Sequence, residues 1–170
     1  GCKSCVPLRV PVSGFRPSKS QRRVISKNRE TDMRFGALRH SPEIFSIYEE
    51  HSRDRFGREP ELNDFLFNFY QASCPGVQSE YYRGGRLLAV GFLDRSSKAL
   101  SSVYFIFRSA FAHRSPGIYS VLREIELAGT LDLAYYYLGY HVGGCPRMEY
   151  KSGFNPHQRY SWEEARWIDV

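Results

Sequence analysis

From Gln78 onward the spacing of apolar residues changes, and that change constrains the fold more than any other feature of the chain. Upstream, Ile44, Ile47, Tyr48 and His51 follow Ser41-Pro42, and Leu62, Phe65, Leu66 and Phe69 recur within EPELNDFLFNFYQ. Recurrence at three and four residues places one apolar stripe on a helix, and Ser followed by Pro suits an N-cap and first turn. On that stripe His51 reads as a packed or rim histidine. Downstream, QSEYYR and RLLAVGFL flank Gly84-Gly85, a hairpin signal, and ALSSVYFIF follows a polar turn at 94–98. HRSPGIYSVLREIELAG returns to helical spacing through Ile118, Val121, Leu122, Ile125 and Ala128, with Gly129 as a stop. LAYYYLGY is again a strand. The expected order is helix, helix, three antiparallel strands, helix, strand, in an α/β (α+β) domain whose mostly antiparallel sheet is flanked by helices.

The first forty residues differ in charge. They hold ten Lys and Arg against two Asp and Glu, a balance of +8 within a chain whose net charge is +6. Basicity so localised points to a polyanionic partner. CVPLRVPV alternates around Pro7 and Pro11 as an edge strand would. In RPSKSQRRVISKNR, Ser18 caps a helix that carries Lys19, Arg22, Arg23 and Lys27 at i, i+3, i+4 and i+8, on one face. Residues 31–40 read as a linker, which separates a region 1–40 from a domain 41–170. Cys2 and Cys5 form C-K-S-C, which is half of a zinc or iron–sulfur site or a redox pair. Four cysteines without an export signal fit a reducing, cytoplasmic setting. No apolar run approaches the roughly 20 residues of a membrane span.

The element order resembles the acyltransferase fold of GNAT proteins, in which one strand splays from its neighbour and the next helix opens on a phosphate-binding loop. A CoA-binding loop there reads Q/R-x-x-G-x-G/A. Arg114-Ser115-Pro116-Gly117-Ile118-Tyr119 puts Tyr119 where a small residue belongs, which argues against CoA. No G-x-S-x-G, Walker sequence, H-E-x-x-H or Ser–His–Asp set is present, so covalent catalysis is not expected. Aminolysis of a bound ester needs no enzyme nucleophile, only alignment, donors for the oxyanion and a group to handle a proton.

Four blocks in order, CVPLRVPVSGFRPSKSQRRV, ALSSVYFIF, SPGIYSVLREIELA and YYYLGYHVGGCPRMEYKSGFNP, resemble the signatures of arginyl-tRNA–protein transferases and their bacterial leucyl-transferring relatives. The resemblance implies a GNAT-like domain over 41–170. It also implies transfer of Arg or Leu from charged tRNA to the N-terminal amine of proteins beginning with Asp or Glu, the N-degron (N-end rule) step of protein degradation, with no cofactor needed for the chemistry. Residues 1–40 would be the remnant of a basic, cysteine-containing region in which further cysteines join Cys2 and Cys5 around a zinc ion or iron–sulfur cluster. The ligand set is incomplete in this chain. Tyr140 and Tyr104 would line the reacting ester, and Tyr137, Arg147, Tyr150 and Lys151 would meet the acceptor protein. Lys19, Arg22, Arg23 and Lys27 would hold the tRNA backbone. The competing readings are a CoA-dependent N-acetyltransferase and a non-catalytic RNA-binding module.

Overall fold

The computed structural model describes residues 2–71 and 74–170. In chain order they form β1 (Val6–Pro11), α1 (Lys19–Lys27), β2 (Asp32–Ala37), α2 (Pro42–Phe56), α3 (Leu62–Tyr70), β3 (Gly76–Arg83), β4 (Arg86–Arg95) and β5 (Ala99–Phe107). A 3-10 turn at Ser109–Arg114 leads to α4 (Pro116–Thr130) and β6 (Tyr135–His141). A short α5 (Pro146–Glu149), a second 3-10 turn at Tyr150–Gly153, β7 (Gln158–Ser161) and β8 (Arg166–Asp169) follow. The expected run from α2 to β6 is therefore present.

Local chemistry explains the boundaries. Ser41 Oγ accepts from the Ile44 amide, and Ser18 and Gln21 form a reciprocal capping box on α1. Gly84 and Gly85 both have positive φ (56° and 78°), as a two-residue turn matched to strand twist requires.

The strands make one sheet in the order β2-β3-β4-β5-β6-β1-β7-β8. Helices cover both faces of its centre, so β4 reads as a nearly unbroken apolar run. Ile44 and Ile47 of α2 and Phe65 of α3 pack on Leu87, Val90, Phe92 and Ile106. On the other face Val121, Leu122, Ile125 and Ala128 of α4 pack on Leu8, Val10, Leu100, Tyr136 and Leu138. The chain thus buries two apolar layers against one sheet. At about 25 cal/mol per Å² of apolar area, this is the dominant favourable contribution to folding.

Three expectations are corrected. β1 is an interior strand, paired with β6 and β7. Its prolines are tolerated because β7 pairs only with Leu8 and Arg9, between the two rings. Residues 31–40 are not a linker: β2 runs antiparallel to β3 from Asp32↔Tyr82 to Ala37↔Val77, with Met33 and Phe35 on its more buried face. Leu62, placed on the inward stripe of α3, is 39% exposed. The β7–β8 hairpin had no expectation attached to it.

β5 and β6 position the site. They are parallel, and their pairing ends after three residues, Ala99↔Tyr135, Leu100↔Tyr136 and Ser101↔Tyr137. Beyond these the strands diverge.

Candidate active site

A cleft of about 1020 Å³ occupies the divergence between β5 and β6. Ser101 to Phe105 of β5 line one side, and Leu138, Gly139 and Tyr140 of β6 the other. The loop entering α4, Ser115 to Ile118, closes one end, and α5 with the turn after it closes another through Arg147, Met148, Tyr150 and Lys151. From the opposite face of the sheet, α2 contributes His51, Arg55 and Phe56. The cleft therefore reaches helices on both faces, through a gap where neighbouring strands share no hydrogen bonds. Gly139 has φ of 78°, a left-handed conformation that a β-branched residue would resist, and this breaks the strand alternation where β6 bends away.

The electrostatics of the lining are one-sided. Arg55, Arg147 and Lys151 line the cleft, and no Asp or Glu lines it among the described residues. Lys151 Nζ donates to the Tyr140 carbonyl at 2.8 Å, and burial lowers its pKa. Arg55 lies with its guanidinium 5.6 Å from the Phe107 ring centre. Burial also pushes His51 down to about 4, so its imidazole is neutral. His51 Nδ1 lies 3.3 Å from the Phe107 carbonyl oxygen and 3.4 Å from the Phe107 amide nitrogen, so one backbone residue anchors the ring. Tyr104 packs parallel to Phe69 with ring centres 5.2 Å apart, and burial raises its pKa. A neutral phenol at Tyr104 is a donor and not a base.

Five of the residues singled out from the sequence, Tyr104, Tyr140, Arg147, Tyr150 and Lys151, meet in this cleft. Tyr140 is 55% exposed, which is unusual for a strand tyrosine and leaves its hydroxyl accessible. Tyr137 is elsewhere. Strand alternation turns it to the other side of β6, where its ring meets Trp167 edge-on at 5.5 Å and its oxygen accepts from Arg9 Nη1 at 3.2 Å. Lys19, Arg22, Arg23 and Lys27 are all exposed on α1, which packs against α4. Arg22 donates to the Pro17 carbonyl at 2.6 Å, and Lys27 donates to the His113 carbonyl at the turn before α4.

Cys2 and Cys5 are exposed free thiols, and hydrogen bonding to Ser4 lowers the pKa of Cys2. No group of three or more His, Cys, Asp or Glu side chains among the described residues is gathered as for a metal. Two thiols are half of a tetrahedral set, so these residues alone do not fit a closed metal site.

Tyr119 does not exclude CoA in the way its sequence position suggests. It turns away from the cleft into the core beside Tyr81, Ala89 and Phe111, and its hydroxyl lies 3.4 Å from the Asn28 carbonyl. Its bulk obstructs nothing at the α4 loop.

Sequence reasoning missed Arg55, Ser102 and Glu124. Arg55 follows His51 by four residues and so shares its helix face, a signal that was readable. Glu124 interrupts the apolar stripe of α4 between Val121 and Ala128. It is 1% exposed and accepts from Tyr136 Oη at 2.5 Å, Ser79 Oγ at 3.2 Å and Tyr81 Oη at 3.4 Å. Burial raises its pKa to about 7.

Comparison with known proteins bears on the family and on the fold. The family described as "Arginine-tRNA-protein transferase, C terminus" matches residues 43–161. An aspartate/glutamate leucyltransferase of Thiobacillus denitrificans is 37% identical over 93% of this chain and 68% of its own length. Among solved structures, L-PGS from Bacillus licheniformis superposes with a TM-score of 0.58 at 14% identity, over 87% of this chain and 50% of that one. A GCN5-related glucosamine N-acetyltransferase region of a fungal multi-domain GH3 beta-N-acetylglucosaminidase gives a TM-score of 0.53 at 10% identity, over 99% of this chain and 20% of that one. At such identities the two structures speak to the fold alone, which is the GNAT-like fold expected.

Proposed function

This chain belongs to the arginine-tRNA-protein transferase family and is an aminoacyl-tRNA–protein transferase, and on that premise we propose that the β5–β6 cleft joins the aminoacyl ester of a tRNA to the N-terminal amine of a protein beginning with Asp or Glu. The observation that carries this reading is the set of three cationic side chains, Arg55, Arg147 and Lys151, around a cleft lined by no carboxylate among the described residues.

That charge pattern acts in two ways. It offers charge-assisted hydrogen bonds to an acidic side chain next to the attacking amine. It also disfavours the ammonium form of that amine. An α-amino group has an ordinary pKa of about 7.7–8.0, and nearby like charges lower it, so more of the amine is neutral and nucleophilic. The amine lone pair then attacks the ester carbonyl carbon, and negative charge grows on the carbonyl oxygen. Tyr140 is the donor assigned to that oxygen, with Tyr104 on the facing strand. Collapse breaks the bond to the ribose oxygen and leaves an amide.

The same pattern bears on the donor. An arginyl side chain would enter a cationic cleft without a counter-ion, whereas leucine finds Val121, Leu138 and Met148 along the lining. Leucine is therefore the proposed cargo. The tRNA backbone is assigned to the exposed cations of α1, and the cytoplasm, where charged tRNA is found, to the reaction. Cys2 and Cys5 by themselves do not complete a zinc or iron–sulfur site, and no step of the chemistry runs through them.

The test is transfer of labelled amino acid from Leu-tRNA and from Arg-tRNA to peptides that differ only in an N-terminal Asp or Ala. The expected result is transfer from Leu-tRNA to the Asp peptide, with Lys151→Ala narrowing the gap between the two peptides. Equal transfer to both peptides by the parent protein, or transfer of Arg alone, overturns the reading.

A further inference from the structure

The face of β6, β1, β7 and β8 turned away from α4 carries an aromatic cluster that the reaction described above does not use. Leu8, Val10, Tyr136 and Leu138 pack on the α4 side, so alternation sends Arg9, Tyr135 and Tyr137 to the other face. The pairings Arg9↔Gln158 and Tyr160↔Trp167 carry that face across β7 and β8. The Arg9 guanidinium carbon lies 3.7 Å from the centre of the Tyr135 ring and 4.1 Å from that of Trp167, and Arg9 Nε donates to Gln158 Oε1 at 2.7 Å. Tyr160 meets Trp167 edge-on at 5.4 Å and Trp162 at 5.1 Å. The helix on this side of the sheet, α2, packs on β4 and β5. The cluster is left half-buried, and Trp162 at its end is 44% exposed.

Its chemistry suits a polypeptide. Tyr137 Oη accepts from Arg9 Nη1, which leaves its own proton to donate. The hydroxyls of Tyr135 and Tyr160 and the indole N–H of Trp167 have no acceptor among the described residues, and none of these atoms is a buried orphan. An extended chain offers such donors a carbonyl at every residue, with side chains alternating between. The rings meet edge to face, which commits ring faces to one another and to Arg9 rather than to stacked bases. The face is also continuous with the cleft. Tyr137 pairs in register with Ser101 and stands two residues from Gly139, and both of these line the cleft. The cations assigned to tRNA are on α1, which packs against α4 across the sheet. The side on which the aromatic face lies is therefore left to the acceptor.

We propose that this aromatic face is the docking track for the acceptor polypeptide beyond its N-terminal residue. The segment lies extended, with apolar side chains against the rings and its carbonyls on the phenol and indole donors. Four strands about 4.8 Å apart span roughly 14 Å, which accommodates about four residues of extended chain at roughly 3.3 Å each. The acceptor is then read over a short segment as well as at its first residue, and Tyr137 serves it from outside the cleft.

This proposal rests on the transferase reading, and acceptor length separates the two. The probes are a ten-residue peptide beginning with Asp and apolar at its third to sixth residues, and the dipeptide of its first two residues. In the parent protein, kcat/KM for the long peptide should exceed that for the dipeptide about 10-fold, through KM. Tyr160→Ala and Trp167→Ala should bring the long peptide down to the dipeptide value, while the dipeptide value and tRNA affinity stay at the parent level. Tyr160→Phe keeps the ring and removes one donor, so it gives an answer even if the truncations do not fold. It should cost the long peptide alone roughly 2–10-fold. Both tryptophans of the chain, Trp162 and Trp167, belong to this face, so their emission should change saturably with the long peptide and not with the dipeptide. A parent protein indifferent to acceptor length overturns the track, and so does an equal loss on both acceptors, which marks a packing role. A fall in tRNA affinity without a length effect assigns the face to RNA instead. A parent protein that transfers to neither acceptor sinks the transferase reading, and emission unchanged by the long peptide sinks the track.

Discussion

Gly91 lies in β4 against the buried Ser79–Glu124 hydrogen bond, and a single added methyl there should break it. A Cβ at residue 91 would sit 2.3 Å from Ser79 Oγ, 2.9 Å from Glu124 Oε1 and 3.5 Å from Phe105 Cδ2. Ordinary contact begins at 3.4 Å, so the Ser79 hydroxyl must retreat by roughly 1 Å. That retreat removes its 3.2 Å hydrogen bond to Glu124. Loss of a hydrogen bond to a charged group costs about 1.5–3 kcal/mol, and residual crowding against the carboxyl adds about 1 kcal/mol. Gly91→Ala should therefore lose about 2.5–4 kcal/mol in urea denaturation, a large fraction of the stability of an ordinary domain. The double variant Ser79→Ala/Gly91→Ala supplies the control. With Oγ gone, the methyl has room, so the double-mutant cycle should show a favourable coupling of about 1 kcal/mol or more. A Gly91→Ala loss below about 0.5 kcal/mol, or strictly additive losses, would refute the packing argument.

Three further outcomes follow from the same structure. His51 is held neutral with its pKa near 4. Since the folded value lies below the unfolded one near 6.5, its contribution is complete above pH 6.5 and is lost as pH falls toward 4. Parent stability should drop over that window by at most about 3 kcal/mol more than that of His51→Gln, and parallel curves would exclude His51 as the source. Arg22→Ala/Arg23→Ala should weaken tRNA binding and reduce the slope of log affinity against log salt by about 0.9 for each phosphate no longer neutralised. An unchanged slope removes α1 from the tRNA interface. Tyr140→Phe should lower turnover roughly 100-fold with tRNA binding retained, while transfer at the parent rate leaves its hydroxyl without a part.

The elements that sequence alone determined are those whose signal is local. The capping serines of α1 and α2, the Gly84-Gly85 turn and the apolar stripe of α4 are each read from neighbours a few residues apart, and each is present as expected. The gathering of Tyr104, Tyr140, Arg147 and Lys151 was also legible, though through family blocks rather than periodicity. Sheet position was not. Pro7 and Pro11 pointed to an edge, yet β1 is interior, because what decides is how far the neighbouring strand extends, and β7 stops between the prolines. The direction of single side chains was equally hidden at Tyr137 on β6 and Tyr119 on α4: both lie in the blocks that line the cleft, and both turn away from it. Glu124 shows the remaining gap most plainly. Its place on the α4 stripe could be read in one dimension, but its surroundings depend on hydroxyls from β3 and β6, which are brought together from positions 79 to 136 of the chain. The cleft itself depends on parallel strands whose pairing stops after three residues, and no local pattern specifies where two distant strands cease to hydrogen-bond.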